Sequence, residues 1–378
     1  MSRNLANPYR PFFFVGYFAA LVGAGVWITH PLVPGHPYPG RLHAHLMMGV
    51  FLLSYAVGFL LTALPRLTRT SFTHRYEFLG FSLLMGWIAL VGVYDPTERS
   101  FFAGTTLVAA LLFVFGWRRI KRAGAALPDF FPMLFWGWFS LFAGSLLTFT
   151  EQGSLGEALF YQNFMLCLAL GIGVFLVPKI LDYPVAPRIR GRTAFFLIGL
   201  TLTLSLVAVE LGVAAQAAYA RAFVASFVVL FGWNIFTKAA RKSILGSGIR
   251  LAAWMMLGGL WGLAVFPEYR LESLHVLYVG GFAVLTLMVA SRVILSHGNY
   301  DLTAELKNAH IKYALCFFSL AAATRAAAVF VPNGYEKHLA YASAAFIAGA
   351  VVWGRYFLTR IFENFGQHDQ SRFRRLNN

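Results

Sequence analysis

Residues 43–64 read HAHLMMGVFLLSYAVGFLLTAL: two histidines, and then no charged residue until Arg66. A helix needs about 20 apolar residues to cross the roughly 30 Å hydrocarbon core, so this stretch predicts a membrane span that opens on histidine. Runs of the same kind recur along the chain, bounded by charge, Pro or Gly. Their expected limits are 12–29, 43–64, 76–94, 100–117, 130–149, 156–177, 193–214, 216–236, 249–266, 273–295, 309–331 and 337–358. The seventh and eighth are separated only by Glu210, Gly212 and Gln216. The expected fold class is therefore all-α, a polytopic membrane bundle of about twelve transmembrane helices.

Composition supports the same class. Of 378 residues, 58% are hydrophobic and only 12% charged, about half the charge of an average soluble chain. Mean hydropathy is +0.65. These values exclude disordered, collagen-like and disulfide-rich secreted classes. A net charge of +16 would suggest nucleic acid in a soluble protein, but here the basic residues cluster between apolar runs, as in membrane loops. The expected partner is the lipid bilayer, with no nucleic acid.

If twelve spans is right, Lys and Arg should alternate between the two sides. One side receives Arg3 and Arg10, then Arg66, Arg69 and Arg75, then the clusters at 118–122, 179–192, 238–250 and 292–312, and finally Arg355 to Arg375. All but Arg41, Arg99, Arg221, Arg270, Arg325 and Lys337 fall there. Both termini are expected in the cytoplasm; the bacterial inner membrane is the location implied by the family resemblance given below. Asn4 to Pro11 lead into the first span without a small-residue cleavage site, so no cleavable leader is expected. The loops are too short for a soluble domain. Residues 1–378 read as one membrane domain, and Pro184 and Pro187, near 178–192, mark where a hinge between two six-helix halves would fall. No phosphate loop, nucleophile elbow or zinc-protease helix is present, which leaves nucleotide-driven transport unsupported. Catalytic residues are not assignable.

Ionisable side chains in a bilayer are costly, so the histidines and arginines at span ends are the functional candidates. His43 and His45 lie two residues apart, about 200° on a regular helix, and so face different neighbours. Met47 follows His43 at i+4 and Met48 follows His45 at i+3; imidazole with thioether suits copper or haem iron. His275 opens the tenth span at the same outer depth as His43 and His45, with Tyr278 below it. Gly280 and Gly281 in the tenth span, and Gly49 in the second, are places where a macrocycle or another backbone can come close. On the inner side His297 and His310, with His74, are weaker metal candidates. His275 and His297 are separated by roughly 33 Å of helix and cannot share one metal. Arg10, Arg41 and Arg325 suit a carboxylate such as a haem propionate. Alternatively, Arg325 would pair with Glu210. His30 and His36 would shape a proline-rich outer loop; His338 and His368 are weaker still. Cys167 and Cys316 are expected as small buried hydrophobes.

Tyr9-Arg10-Pro11-Phe12-Phe13, His43-Ala44-His45, Gly58-Phe59-Leu60-Leu61-Thr62-Ala63 with Pro65, His275 with Gly280 and Gly281, Ser291-Arg292-Val293 and His297-Gly298 resemble motifs of the NnrS family. These are polytopic bacterial membrane proteins of the nitric oxide response described as containing haem and copper. The resemblance spans the chain, although its specific motifs occupy about a fifth of it. The chain departs from the family pattern at Leu46, where Glu is usual, and at Leu67, where an aromatic is usual. The missing acid puts proton-consuming chemistry in doubt.

What the resemblance implies is a b-type haem, and copper, held by membrane histidines. The expected function is to bind or handle nitric oxide and protect against nitrosative stress, with haem ligated among His43, His45 and His275. An oxidoreductase acting on nitric oxide is one form of this. Two rivals stand beside it: a cofactor-free secondary transporter using Glu210, Arg325 and the outer histidines, and a quinol-linked electron-transfer protein.

Overall fold

The computed structural model describes residues 3–32, 38–94, 98–150, 153–183 and 188–363. Among them the only regular structure is helical. Eleven helices are long and apolar enough to cross a membrane: α1 (Tyr9–Leu32), α2 (Gly40–Leu67), α3 (Arg75–Tyr94), α4 (Arg99–Lys121), α5 (Phe131–Phe149), α6 (Gly153–Ile180), α7 (Arg192–Glu210), α9 (Ile244–Val265), α10 (Pro267–His297), α11 (Leu302–Phe330) and α12 (Pro332–Phe362). The expected eighth span is the shorter apolar helix α8 (Ala217–Gly232). All twelve apolar runs thus form helices. Pro184, Pro187, His36 and His368 lie outside the described residues.

The helices touch in a pattern that repeats every fourth span. α1 packs on α2, α5 on α6 and α9 on α10; α4 on α5, α8 on α9 and α12 on α1. The second member of each group is the most enclosed. The apolar windows of α2, α6 and α10 are 78, 67 and 56% buried, and no other long span exceeds 50%. Their midsections converge on a small apolar cavity of about 90 Å³, between Tyr55 and Leu60 of α2, Leu168 of α6, and Phe282 and Leu285 of α10. The peripheral spans instead expose large apolar side chains, such as Leu83, Trp87 and Leu90 of α3. In a bilayer that surface is the lipid-facing one.

The three central helices share a second feature. Each is wound as a π-helix just inside its first turns: His45–Leu52 in α2, Ala158–Phe164 in α6 and Val276–Ala283 in α10. A further such segment, Val228–Gly232, ends α8. Bonding i to i+5 inserts a residue into the turn and re-aims the side chains beyond it, and such segments are frequent at functional sites. Buried charge holds the periphery in place: Arg119 of α4 donates from both terminal nitrogens to the Glu77 carboxylate of α3, at 2.8 and 2.7 Å.

A histidine-lined cavity between α2 and α10

His43 and His275, from the first turns of α2 and α10, meet across one cavity. Their ring centroids are 6.3 Å apart and the ring planes differ by 15°. Each ring is fixed from behind. His43 Nδ1 lies 2.7 Å from the Gly23 carbonyl oxygen of α1, and His275 Nδ1 lies 2.7 Å from the carbonyl of Leu271, one turn earlier in its own helix. A carbonyl oxygen can only accept, so both rings carry their proton on Nδ1 when neutral, and Nε2 keeps its lone pair. This is the arrangement by which outer hydrogen bonds orient a metal-ligating imidazole.

The cavity between them has a volume of about 340 Å³. Trp27, Phe51 and Phe346 give it broad apolar walls, and Met47, Met48, Tyr161 and Tyr278 also line it. Arg325 stands at its edge, 6% exposed, with Nη2 donating to the Tyr335 hydroxyl at 3.2 Å and Nη1 3.6 Å from Glu272. The expected Arg325–Glu210 pair does not form: Glu210 is taken by Arg270 at 2.6 Å.

Helical spacing turns His45 away from this cavity, and the π-winding that begins there decides which later side chains face it. His45, two residues after His43, turns the other way, against α4, where it stacks on Phe101 at 4.0 Å with Nε2 3.6 Å from Glu98. Glu98 adopts φ 61°, a left-handed conformation costing a non-glycine residue about 1 kcal/mol, and also binds Arg41 at 2.8 Å. A carboxylate therefore stands beside His45 although Leu46 replaces the acid of the motif. Met48, expected on the His45 face, lines the His43 cavity together with Met47; the wider turn beginning at His45 carries it round.

Several sequence expectations are corrected by packing. Gly49 faces the ring of Phe101, which a Cβ would approach to 2.2 Å, while Gly280 and Gly281 abut Met255 and the Met256 backbone of α9. These glycines admit neighbouring helices, the second of the two roles expected of them. Arg41 is committed to Glu98. Arg10 begins α1, about 20 Å of helix from Gly23, too far to serve a group beside His43. The inner histidines do not assemble: the His297 ring meets Tyr9 at 6.0 Å, His310 meets Tyr356 at 5.3 Å and His74 meets Tyr76 at 5.5 Å. Cys167 is buried as expected, but Cys316 is exposed on the lipid-facing side. Gly23 escaped sequence reasoning because a backbone acceptor has no residue signature; its signal is the absence of a Cβ, which would come within 2.9 Å of Leu46 Cβ.

A family model described as NnrS protein matches residues 4–363, nearly the whole chain. The chain belongs to the NnrS family. No curated protein matches it. NnrS membership makes it a membrane protein of the nitric oxide response and implies haem and copper, and the residues present answer differently for the two. His43 and His275 each leave Nε2 with its lone pair beside one cavity, whose volume falls within the roughly 300–1,000 Å³ typical of cofactor clefts. Haem fits. For copper, among the described residues no three His, Cys, Asp or Glu side chains converge, and both methionines belong to the His43 cavity. Among the described residues these side chains form no separate copper site.

Proposed function

We propose that this NnrS protein holds one b-type haem between α2 and α10, which His43 and His275 would ligate, and that this centre handles nitric oxide to protect the cell from nitrosative stress. The observation that carries the reading is the pair of near-parallel imidazoles 6.3 Å apart, each with Nδ1 tied to a carbonyl. A haem bound there would supply an iron able to carry an electron or to bind a diatomic ligand.

The protein's own residues set the conditions for that chemistry. Gly23 and Leu271 hold the two rings in one tautomer. Trp27, Phe51 and Phe346 keep a flat apolar group away from water. Arg325 supplies a guanidinium for a propionate at the cavity edge. Nitric oxide, small and apolar, can enter from lipid. A bilayer-soluble quinol is the matching class of electron donor, and the alternation of basic loops supports a reading with both termini in the bacterial cytoplasm. The His-pair geometry favours this reading over a cofactor-free transporter built on Glu210 and Arg325, because Glu210 pairs with Arg270 instead.

The test is an optical spectrum of the detergent-purified protein, dithionite-reduced, before and after anaerobic nitric oxide. The expected result is a Soret band with sharp low-spin α and β bands that shift on adding the gas. A featureless spectrum from protein produced with ample haem and iron would return the transporter reading to first place.

A further inference from the structure

The apolar cavity of about 90 Å³ where α2, α6 and α10 converge lies one helical turn from the histidine cavity. Two aromatic pairs straddle the partition. Phe51 and Tyr55 of α2 have ring centroids 5.3 Å apart, and Tyr278 and Phe282 of α10 have theirs 6.0 Å apart. In each pair the first ring lines the histidine cavity and the second lines the smaller one. The two spaces are therefore separated by a single layer of side chains.

Size and chemistry select what the smaller cavity can hold. Its volume is well below the roughly 300–1,000 Å³ of clefts that take cofactors and other large ligands, so a haem or a whole quinol is too big for it. At about 10–15 Å³ for each group of water size, it still has room for several atoms. Its wall is made of aliphatic and aromatic side chains, with side-chain hydroxyls on Tyr55 and Thr286 alone. The Tyr55 hydroxyl is buried in the packing and does not reach the cavity. A buried water needs two to four polar partners, and one threonine does not supply them; apolar cavities stay dry and take apolar guests such as xenon. A small uncharged gas gains by the same transfer out of water.

We propose that this cavity is a docking site for an apolar gas of the size of nitric oxide, held one aromatic layer from the His43–His275 cavity. The cavity binds such a gas with or without haem; its service to the histidine pair rests on the nitric oxide reading given above.

The experiment is carbon-13 NMR of the full chain in detergent, labelled at the methionine methyls and equilibrated with xenon as the probe gas. Met165 of α6 lines the cavity, whereas Met85 and Met133 are buried elsewhere in the bundle. The Met165 signal, identified by its loss in Met165→Leu, should shift saturably with xenon pressure while those of Met85 and Met133 stay in place. Ala169→Phe and Ala56→Leu fill the space from α6 and α2 and should each remove the Met165 shift; using both covers the case in which one does not fold. No saturable shift at Met165 in the wild type overturns the proposal, as does a shift that survives both filling variants. A saturable Met165 shift with decylubiquinone would assign the cavity to the quinol and reject the gas. Xenon needs no iron, so a xenon response in protein with a featureless optical spectrum supports the docking site while the haem reading fails.

Discussion

At His43 and His45 two identical side chains, separated by one alanine, acquire different surroundings. His43 reaches back to the Gly23 carbonyl, whereas His45 lies against Phe101 and Glu98. Substitution should separate them. His43→Ala and His275→Ala are each expected to remove or shift the low-spin haem spectrum, while His45→Ala leaves it in place, as read by pyridine haemochrome content and the reduced spectrum. Loss of haem in His45→Ala with retention in His43→Ala would reverse the assignment. Gly23→Val should lower haem content severalfold without touching a ligand, because the new side chain meets Leu46 and displaces the carbonyl that orients His43. Arg325→Gln should weaken haem retention about tenfold, the worth of one charge-assisted hydrogen bond, measured by haem transfer to an apo-globin acceptor. Retention equal to wild type would remove Arg325 from the site.

Among the elements, α3 is the least enclosed long span, with 28% of its window buried. Lipid is as apolar as its leucines, so burial of side chains does little to hold it to the bundle. The Glu77–Arg119 pair, with both side chains at most 5% exposed, joins it to α4. Glu77→Gln leaves the guanidinium without its counter-charge and should cost about 3–5 kcal/mol; the measurement is thermal unfolding in detergent. Restoring most of that loss with Glu77→Gln/Arg119→Met would show that the orphaned charge, and not lost packing, is responsible. Apolar periodicity revealed these helices but not the π-segments within α2, α6 and α10. Local residue preference does not encode an i to i+5 bond; the wider turn is chosen by what the helix must face. Hence Met48 seemed to belong with His45 and instead lines the His43 cavity.

For the whole molecule, charge alternation carries an orientation that can be tested directly. With Cys167 and Cys316 replaced by Ser, Ala215→Cys between α7 and α8 should react with an impermeant maleimide in intact cells. Lys238→Cys, between α8 and α9, should react only after permeabilisation. The opposite pattern would invert the topology and place the histidine cavity on the cytoplasmic side.

Helix number and class were legible in the sequence by itself, because transfer of a 20-residue apolar run into lipid is a local property that needs no knowledge of neighbours, but the limits were not: α10 and α11 begin at Pro267 and Leu302, before the expected 273 and 309. The sequence also set the depth shared by His43, His45 and His275, since that follows from where each span begins. Which two of the three meet was decided only by tertiary structure. It depends on α2 and α10 being neighbours at the centre of the bundle, on α1 coming close enough at Gly23 to anchor one ring, and on a π-turn aiming the side chains below. The same holds for the glycines, which admit Phe101 and α9, and for Arg325, Glu210 and Arg221, whose partners lie on helices remote in the chain. Pairing between distant segments is a cooperative outcome of packing, and no single span contains the information that specifies it.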